Sequence, residues 1–203
     1  MKIQNSLQII EALGNLLCYY NSDLYYIACF HNFINGKITE TRYLQKEKGY
    51  FKSFLIEYRI VRNVKKERIK ELLLSTKNWV STKNASIVDD FALALRGEEI
   101  THDGKTMTSL ASKILFLNNP EEIIPMDRFN KTALNIKSNS YSDFKKKVEN
   151  YKLENMDIMK EYLSKIDSLL SEIEKDYKDI EIDFDDYRIS RFSDKILWTI
   201  GKK

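Results

Sequence analysis

The segment SLASKILFLNNPEEIIPMDRF, residues 109–129, shows most plainly that this chain is built from helices. Residues 110–117 are apolar except for Ser112 and Lys113. The Asn-Asn-Pro sequence at 118–120 ends the helix, and Pro125 suits the approach to a new one. Asp127 then stands where a helix N-cap is expected, before a helix predicted at 128–137. The segment therefore predicts a helix–turn–helix junction.

Outward from this junction, apolar residues recur with helical spacing. In the first helix, Leu7, Ile10, Leu13, Leu17 and Tyr20 are expected to form the buried face, and polar residues at 21–23 are expected to end it. The predicted helices are 5–20, 23–35, 39 to 58 or 62, 65–80, 85–96, 108 or 109 to 117, 128–137, 139–177 with a kink near 154–155, and 188–200. Residues 179–188 are predicted to be a short strand or an acidic loop.

Turn-forming residues are scarce, with six glycines and two prolines in 203 residues. β-Sandwiches and β-barrels need many turns, so the scarcity of glycine and proline favours a helical fold. We predict an all-α fold, a two-lobed orthogonal bundle of several helices. The chain is predicted to be a single helical domain over 1–203, with lobes at about 1–104 and 105–203. The Asp-Gly turn in 98–106 leaves a short hairpin there as an alternative.

Several classes of protein are not expected from this sequence. No apolar run reaches the roughly 18 residues of a membrane span, and the N-terminus reads as an amphipathic helix, so a cytoplasmic protein is predicted. Cys18 and Cys29 are expected to be buried free thiols. Cys29 and His31 are two residues apart and cannot share a metal ion on one helix. Phosphate-loop and dinucleotide motifs are missing, so no cofactor is predicted.

Charge is unevenly distributed although the net charge is only +3. Residues 37–77, called the basic segment below, contain 12 lysines and arginines against five acidic residues. Residues 154–186, the acidic segment, contain 12 acidic residues against four lysines. Such asymmetry is compatible with a half that faces nucleic acid, or with two halves that attract one another. The candidate contacts to nucleic acid are Lys65, Lys66, Arg68, Arg128 and Lys131.

Lys113 and Asp127 are the candidate catalytic residues, and their spacing alone allows two interpretations. A lysine in an apolar segment that loses solvent has a lowered pKa, which makes its neutral amine available as a nucleophile. A carboxylate at a helix N-terminus is expected to stay ionised and to stabilise positive charge that develops nearby. Alternatively, Asp127 is a cap, and Lys113 pairs with it or with Glu121 or Glu122.

The junction and the C-terminal segment resemble parts of a known family. SLASKILFLNNPEEIIPMDRFNKTAL (109–134) and RFSDKILWTIGK (191–202) are similar to segments of bacterial proteins distantly related to helix-hairpin-helix DNA glycosylases. The elements that carry the likeness are Ser112-Lys113, the turn from Pro120 to Pro125, Asp127, and Asp194, Leu197, Trp198 and Gly201 near the C-terminus.

This resemblance implies an all-helical fold, Lys113 as a Schiff-base nucleophile and Asp127 as its electrostatic partner. The implied substrate is a damaged base flipped out of a nucleic-acid strand, with Tyr19, Tyr20, Tyr25 and Tyr26 as a candidate stacking surface. KTMTSLASK (105–113) lacks the glycines of the family's DNA-gripping hairpin. The alternatives to such a DNA-repair enzyme are a non-catalytic helical protein that binds nucleic acid or a protein partner through the basic segment, in a bacterial defence or mobile-element system, and an unrelated protein whose contact surface is the 139–177 helix.

Overall fold

The computed structural model describes residues 6–81 and 87–202, which form ten α-helices and no β-strand. The helices are α1 (Ser6–Ile34), α2 (Glu40–Tyr43), α3 (Phe51–Glu57), α4 (Ile69–Ser81), α5 (Val88–Gly97), α6 (Thr108–Phe116), α7 (Arg128–Ala133), α8 (Tyr141–Ser164), α9 (Asp167–Glu174) and α10 (Phe184–Gly201). The all-α prediction is confirmed, whereas the division into two lobes stays a prediction. In the described residues, none of the helices is long and apolar enough to span a bilayer.

The alternative of a hairpin at 98–106 is wrong. Residues 102–104 form a short 3-10 turn, and the extended residue Thr101 makes a single antiparallel bridge to Val64. The Thr101 hydroxyl donates a hydrogen bond to the Lys105 carbonyl oxygen at 3.0 Å, and this bond connects the two ends of the turn. The flanks therefore remain loops that join α5 to α6.

Helix α1 packs along α10, which also contacts α7 and α8. Its buried stripe is Ile9, Ala12, Leu16 and Tyr20. The predicted stripe was wrong by about a quarter of a turn. Leu7 is 73% exposed and Ile10 is 56% exposed, Leu13 and Leu17 are only partly buried, and Tyr20 is buried as predicted. Both stripes have helical spacing, and only the position of α10 selects between them.

The predicted helix break at residues 21–23 is wrong, since α1 continues without interruption to Ile34. Polar residues usually end a helix by bonding to their own backbone. Here their partners lie on other parts of the chain. The Asn21 side-chain oxygen accepts from the Tyr177 hydroxyl at 2.6 Å, and the Ser22 hydroxyl donates to Glu57 at 3.1 Å. Asp23 is buried against α10.

The helix predicted from residue 39 onward is two shorter helices. Thr39 caps α2 as predicted, by accepting a hydrogen bond from the Arg42 backbone N–H at 3.4 Å. The helix nevertheless ends at Tyr43, and α3 starts only at Phe51. Between them Gly49 has φ = 89°, a left-handed conformation that no helix contains.

The long helix predicted over 139–177 is divided, but not at 154–155. Helix α8 runs through that point without a break, and the buried Asn155 side-chain amide donates to the Tyr151 carbonyl oxygen of the same helix at 2.7 Å. The chain breaks instead at residues 165–166, before α9. Residues 179–182 form a loop, and Asp183 caps α10 by accepting from the backbone N–H groups of two following residues at 2.9 and 3.1 Å. The C-terminal helix therefore begins at Phe184, earlier than predicted.

Buried side chains from both ends of the sequence belong to a single hydrophobic core cluster that extends from Ile9 to Leu197. Cys29 is buried as predicted, whereas Cys18 is exposed, which corrects the prediction for that thiol. The four tyrosines considered as a stacking surface are divided in the same way. Tyr20 and Tyr26 are buried in the core, and Tyr19 and Tyr25 are exposed.

Candidate functional site

Lys113 lies on α6, where every residue except Ser109 and Lys113 is buried, and the Lys113 side chain is half-buried. Its ammonium group donates a hydrogen bond to the backbone carbonyl oxygen of Tyr58 at 3.1 Å. Tyr58 is the C-cap of α3, where backbone carbonyl groups lack helical partners. Lys113 therefore caps α3 with a positive charge, the sign that a helix C-terminus favours.

Asp127 is the N-cap of α7, as predicted. Its carboxylate accepts a hydrogen bond from the Asn130 backbone N–H at 2.8 Å. The predicted helix to residue 137 is too long, because α7 ends at Ala133 and Asn135 has φ = 51°. Asp127 thus starts a helix of little more than one turn.

The electrostatic environment changes the pKa of both groups. Burial lowers the pKa of Lys113, and the guanidinium groups of Arg62 and Arg59 lower it further, against opposition from Asp127 and Asp194. This is the direction expected for an amine nucleophile. Burial and the neighbouring Asp194 raise the pKa of Asp127, although Lys113 and the backbone N–H groups of α7 oppose this shift. Capping alone predicted the opposite direction for Asp127.

The ion pairs considered for Lys113 do not form among the described residues. Its ammonium group donates its hydrogen bond to the Tyr58 carbonyl oxygen. The two glutamates have other partners: Glu122 lies 3.4 Å from the ammonium of Lys145, and Glu121 accepts a hydrogen bond from the backbone N–H of Asp183. Asp127 affects Lys113 through space. The pair is therefore a lysine and a carboxylate in one electrostatic neighbourhood rather than a salt bridge.

The turn between α6 and α7 is fastened at both ends by buried polar side chains. The Ser112 hydroxyl accepts from the Met126 backbone N–H at 3.0 Å. The Asn130 amide donates to the Pro125 carbonyl oxygen at 3.2 Å and to the Asp194 carboxylate at 2.6 Å. These bonds hold the segment before Asp127 against α6 and α10.

Behind this turn lies a buried network of charged side chains, of which only Asp194 was named from the sequence. Arg191 is 2% exposed, and its guanidinium group donates to Asp23 at 3.1 Å and to Asp194 at 3.0 Å. The Tyr58 hydroxyl also donates to Asp23. Asp194 belongs to the C-terminal segment whose pattern resembles glycosylases. No sequence pattern indicated a buried ion pair between Asp23 and Arg191. A charged residue inside each apolar helix pattern was the available signal.

Lys195 is a second partly enclosed ammonium, with 14% of its side chain exposed. It lies 3.7 Å from the Asp194 carboxylate and 4.7 Å from the ring centre of Tyr19. Burial lowers its pKa, and Arg191 adds to this shift. Lys195 is therefore the natural comparison for Lys113 in any test of amine chemistry.

The residues predicted to contact nucleic acid lie in two separate parts of the chain. The Arg68 guanidinium donates to the Glu98 carbonyl oxygen at 2.9 Å, next to Lys65, which is half-buried, and Lys66, which is exposed. Arg128 and Lys131 lie on α7. Arg128 stands 4.9 Å from the ring centre of Phe129, and Lys131 donates to Asn139 at 2.6 Å. Lys66 and Arg128 remain exposed.

Some cations of the basic segment are neutralised and others are not. Lys70 pairs with Glu40 at 3.1 Å, and Arg68 lies 3.7 Å from Glu71. Several exposed cations form no ion pair within the described ranges: Lys46, Lys48, Lys52, Arg59, Arg62 and Lys66. Arg59 and Arg62 are the members of this set that act on Lys113.

Two surface clefts lie away from Lys113. One, of about 310 Å³, is lined by residues of α7, α8 and the loop after α7: Ala133, Leu134, Asn135, Lys147, Asn150, Tyr151 and Glu154. The other, of about 240 Å³, is lined by Tyr26 and by residues 46–57. Across the described residues, no three histidine, cysteine, aspartate or glutamate side chains gather to hold a metal ion.

The fold and this site define an all-α protein in which a half-buried lysine and a capping aspartate lie above a buried charged network. Compared with protein-family models, curated proteins and solved structures, the chain matches none. The resemblance to helix-hairpin-helix glycosylases therefore stays a prediction.

Proposed function

We propose that this protein binds nucleic acid and that Lys113 acts on the bound strand as an amine nucleophile, as in glycosylase-like enzymes. The observation that carries the proposal is the position of the Lys113 ammonium. It is half-buried at the end of α3, with Asp127 and the guanidinium groups of Arg59 and Arg62 close enough to change its pKa. Two exposed arginines beside an amine suit an anionic substrate such as a phosphate backbone.

The chemistry requires that Lys113 leave the Tyr58 carbonyl oxygen as a neutral amine. Its nitrogen lone pair then forms a bond to the aldehyde carbon of an opened abasic sugar. The carbonyl oxygen leaves as water, so one amine, one aldehyde and one proton give one iminium ion and one water. The carboxylates of Asp127 and Asp194 stabilise the positive charge of the iminium ion.

Borohydride trapping on an oligonucleotide with a single abasic site tests this step. Lys113→Arg retains the charge and the hydrogen-bond donor but has no nucleophilic amine. Lys195→Arg makes the same change at the other enclosed lysine. We expect a covalent adduct with the wild type and with Lys195→Arg, and none with Lys113→Arg. Absence of an adduct with the wild type, or an equal yield with Lys113→Arg, contradicts the proposal.

A second candidate function is nucleic-acid binding without chemistry, and the hydrogen bond from Lys113 to Tyr58 favours it. That bond explains Lys113 as a cap for α3. In this case the exposed cations of the basic segment bind phosphate, or the 139–177 region binds a protein partner.

Salt-dependent binding separates these alternatives. Replacing Arg59 and Arg62 by glutamine is expected to reduce the slope of log affinity against log salt by about 1 for each phosphate that these side chains neutralise in the wild type. The matched control removes two exposed cations of the acidic segment, Lys160 and Lys178. Equal slopes for the wild type and both double variants count against binding of phosphate by Arg59 and Arg62.

A further inference from the structure

The cleft of about 240 Å³ lies between α1, the loop at 44–50 and α3. Tyr26 of α1 provides one wall, Lys46 and Lys48 stand on the loop, and the α3 residues Ser53, Ile56 and Glu57 complete the lining. It lies inside the basic segment but is not part of the Lys113 neighbourhood described above. Its volume is of the order of one nucleotide.

Glu57 carries a fixed carboxylate in this cleft. The buried Tyr26 hydroxyl donates to one of its oxygens at 2.6 Å, and the Ser22 hydroxyl donates to the other at 3.1 Å. A carboxylate has about four lone-pair positions, so each oxygen retains capacity for a further donor. Two protein donors orient the group, and a ligand with N–H groups can use the rest.

The two lysines provide positive charge beside this carboxylate. Both are exposed and form no ion pair in the part of the chain that the structure describes. Gly49 follows Lys48 and is pressed against α1, since a Cβ there would lie 2.4 Å from the Tyr25 ring. The loop is therefore held close to α1 at the lysines.

Ile56 provides the apolar part of the cleft. It is 47% exposed, unlike its neighbours Phe54 and Leu55, which are fully buried. An exposed isoleucine beside two unpaired lysines and a fixed carboxylate offers a contact surface for a planar ring. The cleft thus combines the three kinds of contact that a nucleotide makes: charge, apolar surface and edge hydrogen bonds.

We propose that this cleft binds one nucleotide of a single-stranded nucleic acid, with its phosphate at Lys46 and Lys48 and its base edge at Glu57. The inference rests on the proposed nucleic-acid function. Single strands are required because pairing occupies the Watson–Crick edge. Guanine offers two adjacent N–H donors to a carboxylate, whereas thymine offers one donor between two acceptors. The cleft therefore favours guanine.

Fluorescence anisotropy with two labelled octamers, one of thymine alone and one with a single central guanine, tests the preference. We expect the guanine octamer to bind the wild type about 5- to 10-fold more tightly, at the lower end of discrimination by bidentate contacts. Glu57→Gln is expected to remove the difference, because an amide has a single acceptor oxygen and its NH2 group would oppose one of the two guanine N–H groups. Glu47→Gln, an exposed acid outside the cleft lining, is the control and is expected to retain it.

The double variant Lys46→Gln, Lys48→Gln changes exposed side chains only, and we expect it to weaken both octamers about 10-fold. Thermal melting checks that Glu57→Gln is folded. If the wild type binds both octamers equally and the lysine variant binds like the wild type, the cleft assignment is overturned while nucleic-acid binding stands. If the wild type binds neither octamer but binds poly-glutamate, the cleft assignment is overturned and the cleft is a site for acidic peptides, while trapping on the abasic oligonucleotide decides the proposed function separately.

Discussion

Gly49 is a position where even the smallest side chain, a methyl group, does not fit. Its φ of 89° is left-handed, and an added Cβ would lie 2.4 Å from Tyr25 and 2.8 Å from the Cys29 sulfur. We expect Gly49→Ala to lower the free energy of unfolding by about 2–4 kcal/mol, from backbone strain and overpacking together. Urea unfolding followed by circular dichroism measures the loss.

Gly36 is the matched control for this prediction. It also has a left-handed φ, 76°, but a Cβ there would meet nothing within 4 Å. Gly36→Ala is therefore expected to cost only the backbone strain, about 1–2 kcal/mol. Equal losses at the two glycines would show that the contact with Tyr25 and Cys29 adds nothing.

His31 makes stability depend on pH. Burial lowers its pKa below the ordinary value of 6.5, and the backbone carbonyl groups of Leu117 and Asn118 oppose this only in part. The folded state therefore prefers neutral imidazole. This contribution is fully present above pH 6.5 and is lost as the pH falls and the unfolded chain takes up a proton first.

We expect His31→Gln to flatten the fall in unfolding free energy between pH 7 and pH 5. Because one histidine takes up one proton, the slope of unfolding free energy against pH can decrease by no more than about 1.4 kcal/mol per pH unit. His102→Gln at the exposed second histidine is the control. Parallel pH profiles for the wild type and His31→Gln would refute this assignment.

At the scale of elements, helix ends explain why predicted boundaries failed. Four helices end with the same pair of backbone bonds to the C3 and C2 carbonyl groups, around a left-handed residue. Glycine holds that position only after α1. The others are Arg59 after α3, Glu99 after α5 and Asn135 after α7. A sequence pattern that expects glycine at a helix end misses these three.

The C″ residue gives the physical reason for these ends. In each of the three it is an isoleucine, namely Ile60, Ile100 and Ile136, and the first two are buried in the core. Burial of such a side chain contributes about 1.5–3 kcal/mol, which offsets the cost of about 1–2 kcal/mol for a left-handed non-glycine residue. Packing therefore decides where α3 and α5 stop.

The Asp89 carboxylate connects two helices by accepting hydrogen bonds from backbone N–H groups. This α5 residue accepts from the N–H groups of Tyr141 at 2.7 Å and Ser142 at 3.0 Å, at the N-terminus of α8. Asp89→Ala is expected to lower the unfolding free energy by about 1–2 kcal/mol, as for the loss of a helix cap. Asp90→Ala at the neighbouring exposed residue should cost less than about 1 kcal/mol. Chemical unfolding of both variants measures the difference, and equal losses would show that the bonds to α8 add nothing.

At the scale of the whole molecule, the Asp23–Arg191–Asp194 network joins the first helix to the last. The partners Asp23 and Arg191 are 168 residues apart in sequence and both buried. Asp194 continues the network to Asn130, next to the Asp127 cap. The network thus links the candidate site to the packing of α1 on α10.

We expect Arg191→Met to lower the unfolding free energy by about 3–5 kcal/mol, because it leaves two buried carboxylates without their partner. The double variant with Asp23→Asn should lose less than the sum of the single losses, by about 1–3 kcal/mol. The exposed pair Lys70–Glu40 is the control cycle, with a coupling below about 1 kcal/mol. Additive losses at Asp23 and Arg191 would show that their contact does not stabilise the fold.

The candidate site was predictable in part. Lys113 in an apolar helix and Asp127 as a cap follow from local patterns, and the structure places both as expected. The raised pKa of Asp127 was not predictable, because it arises from burial and from Asp194, which is close in space but far away in the sequence. Lys195 and the cleft at Glu57 were missed for the same reason.

The sequence by itself determined that the chain is helical, where most helices lie and which residue caps α7, because propensity, apolar spacing and capping act within a few residues. The tertiary structure alone decided which face of α1 is buried and why α1 continues through Asn21, Ser22 and Asp23. It also decided which charges meet in the interior. These depend on contacts between residues far apart in sequence, which no local pattern contains.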